Sequence, residues 1–116
     1  MTDYIPSGED RPEDILEYGA TPEIGPVLES LFATIRQRGI DLPDGSYTAT
    51  LLSGHEDKLL KKIGEEATEV VMAAKSGDAD QLRYESADLV YHLLVVMQRW
   101  GLTPHDLARE LESRFT

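Results

Sequence analysis

The sequence predicts an all-α fold, a helical bundle built on one long antiparallel hairpin of two helices. Apolar residues recur at the i, i+3, i+4, i+7 spacing of an amphipathic helix in several segments after Val27, and no stretch reads as a convincing strand. The two longest helical segments meet at Gly77, a residue type that ends helices. A length of 116 residues suits one domain.

The first 25 residues hold seven acidic residues against one basic residue, with no lasting helical spacing. We expect residues 1–25 to form an acidic arm that is disordered or docks on a partner subunit. An all-α domain should follow over residues 26–116. Pro26 is typical of a first helical turn, and Gly39 should cap the end of this first helix. Its predicted apolar face consists of Leu28, Leu31, Phe32 and Ile35.

A short helix is predicted next, capped by Ser46 and broken by Gly54. The second long helix should run from about His55 to Ser76. Its predicted buried stripe consists of Leu60, Ile63, Ala67, Val71 and Ala74. Gly64 is unusual in mid-helix, and we expect its missing side chain to admit a neighbouring helix or a ligand.

The next helix should begin at Asp78, which forms a capping box with Gln81, and should end at Gly101. Its second half is apolar nearly all round, and a helix of that kind is buried on all sides. A domain this small cannot easily cover it, so we predict a homodimer with this helix at the interface. A last helix, capped by Thr103, carries Leu107, Leu111 and Phe115 at a spacing of four.

Carboxylates at a spacing of three indicate a metal site on the hairpin. Glu69 and Glu85 each lie eight residues from Gly77. Glu66 and Asp88 each lie eleven residues from it. Both helices rise about 1.5 Å per residue, so residues equidistant from the turn share a height and the acids should face one another. Acids that close repel one another unless they are protonated or neutralised by a cation. Mg²⁺ is such a cation, and it binds together with substrate phosphates. The alternative is that these acids lie on ordinary solvated helix faces.

Composition excludes several classes of function. The formal net charge of −11 disfavours binding to nucleic acid or to anionic membranes, because both need basic surfaces. The absence of cysteine excludes disulfides and thiolate metal sites. No apolar run approaches the roughly 20 residues of a membrane span, and no signal-peptide pattern is present. We therefore expect a cytoplasmic protein.

Three segments carry a likeness to a known family. They are Ser46-Tyr47-Thr48-Ala49, Lys62-x-Gly64-Glu65-Glu66-Ala67-x-Glu69-Val70, and Ala87-Asp88-Leu89-x-Tyr91-His92-Leu93-Leu94-Val95. From about Val27 onward the chain resembles the phosphoribosyl-ATP pyrophosphatases of histidine biosynthesis, within the MazG-like superfamily of all-α nucleoside triphosphate (NTP) pyrophosphatases. The acidic motif alone marks only the superfamily. This resemblance implies a homo-oligomeric, Mg²⁺-dependent hydrolase that converts 1-(5-phosphoribosyl)-ATP to 1-(5-phosphoribosyl)-AMP and pyrophosphate.

Such a reaction needs charge neutralisation and an aligned water molecule. The predicted metal ligands are Glu66, Glu69, Glu85 and Asp88. Glu65 is the predicted catalytic residue, which ligates or orients the attacking water or accepts its proton; the alternative is a solvated surface acid.

The predicted substrate-binding residues are Lys58, Lys62, Ser46, Tyr47, Thr48 and His92. Lys62 stands one turn before Glu66, so it either holds a phosphate or forms a salt bridge with Glu66. His92 fits a hydrogen-bonded core histidine as well as a substrate contact. Ser46 could simply cap the short helix, and Tyr47 could simply pack.

Two other functions fit the same residues. A housecleaning pyrophosphatase acting on a non-standard (d)NTP would share the metal site and differ in the pocket around it. A non-catalytic acidic helical dimer that binds a partner protein would need neither metal nor substrate.

Overall fold

The computed structural model describes residues 21–115, which form five helices and no strand. The helices are α1 (Ile24–Asp41), α2 (Tyr47–Ser53), α3 (Glu56–Ser76), α4 (Ala79–Arg99) and α5 (Pro104–Ser113). The predicted all-α fold is therefore confirmed. Residues 1–20 of the predicted acidic arm lie outside the described residues. None of the five helices is both long and apolar enough to cross a bilayer.

Helix α1 is longer at both ends than predicted. It begins at Ile24, which places Pro26 in the first turn as expected, and it continues past Gly39. The prediction that Gly39 caps this helix is wrong, because the left-handed residue that ends it is Leu42, with φ 46°. Gly39 instead faces α2, and a Cβ at this position would lie 3.2 Å from Leu52 Cδ1. Glycine here lets the two helices pack closely.

The predicted hairpin of α3 and α4 is confirmed, with 21 residues in each helix. Gly77 has φ 76°, and its N–H donates to the carbonyls of Ala73 and Ala74. Asp78 caps α4 by accepting a hydrogen bond from the Gln81 backbone N–H at 3.0 Å. The Gln81 side chain points along α4 rather than back to the cap, so only half of the predicted capping box forms.

The core lies where α1, α2 and α3 meet α4. It consists of Phe32, Ile35, Leu51, Leu59, Tyr91, Leu94, Val95 and Met97. Leu107 of α5 packs against this cluster, whereas Leu111 and Phe115 are exposed. Helix α4 contributes half of the core residues, so it is the central element of the bundle.

The predicted buried stripe of α3 is wrong for this chain. Its buried residues are Leu59, Glu66 and Ala73, whereas Leu60 and Val71 are 45% and 64% exposed. The acidic edge of α3 faces α4. Because each residue of a helix is rotated by about 100° from the one before it, the apolar stripe beside that edge is directed outward. A Cβ on Gly64 would meet no atom within 4 Å, so no neighbouring helix among residues 21–115 approaches closely there, and the close approach of a ligand stays a prediction.

Arg99 closes the C-terminal end of α2. Its Nη1 donates to the carbonyl oxygens of Leu51, Leu52 and Gly54 at 2.9, 3.3 and 2.9 Å. The last carbonyls of a helix have no partner within the helix, and a guanidinium group satisfies them well. Because Arg99 ends α4, this contact ties α2 to the hairpin.

We expect Arg99→Ala to lower the free energy of unfolding by about 2 kcal/mol, since hydrogen bonds to charged groups contribute roughly 1.5–3 kcal/mol. Urea denaturation followed by circular dichroism measures the change. Arg83 provides the matched control, because its side chain forms an exposed ion pair with Asp80 on the same helix. Arg83→Ala should change stability by less than about 0.5 kcal/mol. Equal losses in the two variants would contradict the helix-capping role.

Candidate metal centre and active site

The hairpin brings three carboxylates together. Glu66 of α3 and Glu85 and Asp88 of α4 each offer one oxygen, and these oxygens all lie within 4.8 Å of one another. All three side chains are buried, with 4% or less of each residue exposed. The equal heights expected from the sequence are thus observed, because the turn at Gly77 keeps the two helices in register. Their role as metal ligands stays a prediction.

Glu69, the fourth predicted ligand, lies at the open rim of this cluster. It is exposed, and a hydrogen bond with Glu85 is the largest of several effects that raise the pKa of Glu69. The Glu85 carboxylate is held from the other side by Gln81, whose Nε2 donates to Glu85 Oε1 at 2.7 Å. The four acids therefore form one group, with three members inside and one at its mouth.

The charge on Glu66 is held at a high free-energy cost. Burial, followed by repulsion from Asp88 and Glu69, raises the pKa of Glu66 from 4.5 to about 7. The Oε2 atom of Glu66 is buried and accepts no hydrogen bond from residues 21–115. A buried carboxylate oxygen without a donor is unfavourable unless it is protonated or meets a cation.

These residues suit a hard divalent cation. Mg²⁺ is typically bound by one or two carboxylates together with substrate phosphates, and it keeps several of its water ligands. The unsatisfied Glu66 oxygen has the chemistry that such an ion requires, and Asp88 and Glu85 offer oxygens beside it. The residues of the cluster are therefore chemically suited to hold Mg²⁺.

Lys62 lies over the cluster on α3. Its Nζ is 3.4 Å from Glu66 Oε1 and 3.6 Å from Glu65 Oε2. Lys61 Nζ is 3.9 Å from the other Glu65 oxygen, and Glu65 is exposed. The structure thus shows the salt-bridge alternative for Lys62. Lys58 is exposed one turn earlier on the same helix.

His92 is fully buried and bonded through both ring nitrogens. Nδ1 lies 2.7 Å from the Asp88 carbonyl oxygen and Nε2 lies 2.8 Å from the Tyr47 hydroxyl. A carbonyl oxygen can only accept, so Nδ1 carries the proton. Burial lowers the pKa of His92, which leaves Nε2 to accept the Tyr47 proton. With 0% of His92 exposed, the described chain presents Tyr47 toward solvent instead.

The remaining predicted substrate contacts, Ser46 and Thr48, hold α2 in place. Ser46 Oγ accepts a hydrogen bond from the Ala49 N–H at 3.1 Å and so caps α2. Thr48 is buried, and its hydroxyl lies 2.5 Å from the Tyr91 hydroxyl in the core. Both hydroxyls thus have structural contacts, and their binding of substrate stays a prediction.

The sequence analysis did not predict the contact of Gln81 with Glu85 or the contacts of Arg99 with the end of α2. Gln81 stands four residues before Glu85, a spacing at which helical side chains hydrogen-bond, so this signal was available. Arg99 contacts α2 across 45 to 48 residues of sequence, and no local pattern reveals such a contact.

Comparison with known proteins agrees with this geometry. The sequence model of the family described as "Phosphoribosyl-ATP pyrophosphohydrolase" matches residues 28–115. A "Phosphoribosyl-ATP pyrophosphatase" from Pelotomaculum thermopropionicum is 52% identical over 88 residues, which cover 76% of this chain and 90% of the relative. One from Haloarcula marismortui is 45% identical over 94 residues, covering 79% and 96%.

Some relatives are longer. The "Histidine biosynthesis bifunctional protein HisIE" from Thermus thermophilus is 48% identical over 92 residues, which cover 79% of this chain and 43% of that protein. The chain thus spans less than half the length of its bifunctional relatives and most of the length of the single-function ones. The match extends from α1 to α5 and includes every residue of the acidic cluster, and the chain therefore belongs to the phosphoribosyl-ATP pyrophosphohydrolase family.

Proposed function

We propose that this protein hydrolyses 1-(5-phosphoribosyl)-ATP to 1-(5-phosphoribosyl)-AMP and pyrophosphate, a step of histidine biosynthesis, with Mg²⁺ bound by the acidic cluster. The observation that carries the proposal is the convergence of Glu66, Glu85 and Asp88, together with a buried Glu66 oxygen that has no hydrogen-bond partner among residues 21–115. A polyphosphate substrate would bring its own negative charge to this position, so a cation is needed between substrate and protein. The names of the relatives supply the substrate.

Glu66, Glu69, Glu85 and Asp88 would hold the cation. When bound, Mg²⁺ neutralises the carboxylates and the phosphates and polarises the phosphorus that reacts. The chain's own acids and lysines perform the rest. Water forms a bond to the α-phosphorus, the bond from that phosphorus to the bridging oxygen breaks, and pyrophosphate leaves.

Glu65 is placed to accept the proton of the attacking water. It is exposed beside the cluster, and its two carboxylate oxygens lie 3.9 Å from Lys61 Nζ and 3.6 Å from Lys62 Nζ. Lys62 can exchange its contact with Glu66 for a phosphate oxygen, since its Nζ already lies 3.4 Å from that carboxylate. Lys58, one turn away, extends the same basic edge toward the outer phosphates.

A substrate panel tests this proposal. Purified protein with Mg²⁺ is given phosphoribosyl-ATP and a set of (d)NTPs, and pyrophosphate release is measured. We expect kcat/KM to be highest for phosphoribosyl-ATP and to vanish when the cation is removed by EDTA. Preference for a plain (d)NTP would instead favour the housecleaning pyrophosphatase, because the two functions share the metal site and differ in the pocket.

Gln81 should act as a positioning residue for Glu85. Its Nε2 donates to Glu85 Oε1 at 2.7 Å and so restricts the orientation of that carboxylate. Loss of a partner that orients a metal ligand typically weakens metal binding by about 10- to 100-fold, so we expect Gln81→Ala to weaken Mg²⁺ binding by about tenfold. Isothermal titration with Mg²⁺ alone measures this without turnover.

Gln37 offers a matched control for that variant. It makes the same i, i+4 contact with a carboxylate, Asp41, at 2.8 Å, on α1 away from the cluster. Gln37→Ala should leave Mg²⁺ affinity unchanged. If both variants bind Mg²⁺ as the unaltered protein does, Gln81 has no positioning role.

We also propose the homodimer expected from the sequence. Its support is the apolar surface that the hairpin leaves open in one chain, formed by Leu60, Val71, Met72, Val90 and Leu93. Isolated exposed apolar residues are common, but several on two packed helices favour a protein interface. Sedimentation equilibrium should give twice the 12.9 kDa chain mass, and Val71→Asp should shift it toward the monomer. A monomer at all concentrations would contradict this.

The cytoplasmic location stays a prediction.

A further inference from the structure

We infer that Tyr47 determines specificity by accepting a hydrogen bond from a ribose hydroxyl of the substrate, rather than by binding a phosphate. This inference rests on the proposed function and names one contact within it. It follows from the direction of the hydrogen bonds that Tyr47 and His92 make. The family resemblance predicts only that Tyr47 binds substrate and does not name the group that it contacts.

The direction of these bonds is fixed from the buried end. The Asp88 carbonyl oxygen has no proton, so His92 Nδ1 donates to it across 2.7 Å. The neutral ring then has only an acceptor at Nε2, and the Tyr47 hydroxyl donates to it across 2.8 Å. The only proton of the Tyr47 hydroxyl is thereby committed to the protein interior. Its oxygen keeps acceptor capacity and has no donor left to offer.

Tyr47 is held rigidly in this orientation. Its ring stacks on Tyr91 with centroids 6.2 Å apart and an interplanar angle of 25°. It meets the His92 ring edge-on, with centroids 5.9 Å apart. Tyr47 is only half-buried, unlike these two neighbours, so it is the member of the stack that a ligand can reach. Rotation of the hydroxyl toward a ligand would leave the buried Nε2 without a donor, which is costly.

Chemical complementarity then selects the ligand group. Phosphate oxygens are acceptors and need donors, so they do not suit this tyrosine. A sugar hydroxyl can donate. Tyr47 bonds to His92, which in turn bonds to the Asp88 backbone, so the tyrosine borders the acidic cluster at which the α-phosphorus is proposed to react. In a nucleoside triphosphate the group joined directly to that phosphate is the adenosine ribose, which is nearer than the base.

The test is a cycle that removes each side of the proposed contact. Wild type and Tyr47→Phe are assayed at pH 8 with saturating Mg²⁺ on phosphoribosyl-ATP and on its analogues lacking the 2′ or the 3′ hydroxyl of the adenosine ribose. We expect wild type to lose roughly 5- to 20-fold in kcat/KM on one of the two analogues, the effect of one hydrogen bond. Tyr47→Phe should lose a similar factor on the parent substrate and nothing further on that analogue.

Tyr91→Phe is the matched control, because it removes a buried phenol hydroxyl from the same stack. It should lower the melting temperature and retain the wild-type discrimination between parent and analogue. The inference would be overturned if Tyr47→Phe lost a further factor in kcat/KM on the analogue, or if wild type did not distinguish the analogues from the parent substrate. In both cases wild type would still turn over the parent substrate, so the proposed function would stand. No pyrophosphate release from the parent substrate by wild type would overturn the proposed function, and the inference with it.

Discussion

Replacing Glu66 by Gln together with Asp88 by Asn should lower kcat by at least about 1,000-fold, which corresponds to roughly 4 kcal/mol of lost transition-state stabilisation. Both substitutions keep the size of the side chain and remove one negative charge. The cluster would then lack two of its three buried anionic oxygens, and a divalent cation would be bound weakly. Pyrophosphate release from phosphoribosyl-ATP at fixed Mg²⁺ concentration measures the loss.

The same variant should be at least as stable as the unaltered protein when no metal is present. Burial of Glu66 beside Asp88 is repulsive, and neutral amides remove that repulsion. A control variant with Glu112→Gln and Asp57→Asn changes two exposed acids and should retain full turnover. An active Glu66→Gln, Asp88→Asn variant would favour the alternative of a non-catalytic partner-binding module. Loss of turnover together with a lower melting temperature would indicate damage to the fold instead.

The metal-free protein should lose stability as the pH rises from about 4.5 to about 8. Folding raises the pKa of Glu66 from 4.5 to about 7, chiefly through burial. The folded state therefore holds a proton that the unfolded chain releases, so this stabilisation is complete below pH 4.5 and is lost as the pH rises through 7. The difference is about 3 kcal/mol for a shift of this size. Denaturation by urea in EDTA over this pH range measures it.

Comparison with Glu66→Gln isolates this effect from other titrating groups. The lowered pKa of His92 acts in the opposite direction, because protonation of the buried ring in acid costs stability. That contribution is common to both proteins, so the difference between them should follow Glu66. Mg²⁺ should raise the melting temperature more at pH 8 than at pH 5, since protons compete with the cation for the same oxygens. Parallel pH profiles for the two proteins would contradict the assignment.

Much of the site was predictable because helical spacing is a strong geometric constraint. Once Gly77 was identified as the turn, the heights of Glu66 and Asp88 followed from the rise per residue, and the structure places their oxygens together. The caps at Ser46 and Thr103 were predictable for a similar reason, since each depends on residues within one turn. The element order and the all-α fold follow from the same local rules.

The sequence did not determine which face of α3 turns inward. Hydrophobicity alone favours burial of Leu60 and Val71, yet Glu66 occupies the inner face. An acidic residue in that position costs free energy in the isolated chain, and functional sites are where such departures from simple burial are expected. The role of His92 was likewise open, because a contact with Tyr47 spans 45 residues and depends on how α2 docks.

The hairpin also has a mechanical consequence. Each arm between the acids and the turn acts as a spacer of fixed length, and its amino acids matter less than their number. Inserting one alanine between Glu69 and Gly77 would rotate the acids of α3 by about 100° relative to those of α4 and raise them by about 1.5 Å. Both arms would remain good helices, but their carboxylates would no longer converge. Engineered loops can therefore replace the turn only if they preserve the phase between the two arms.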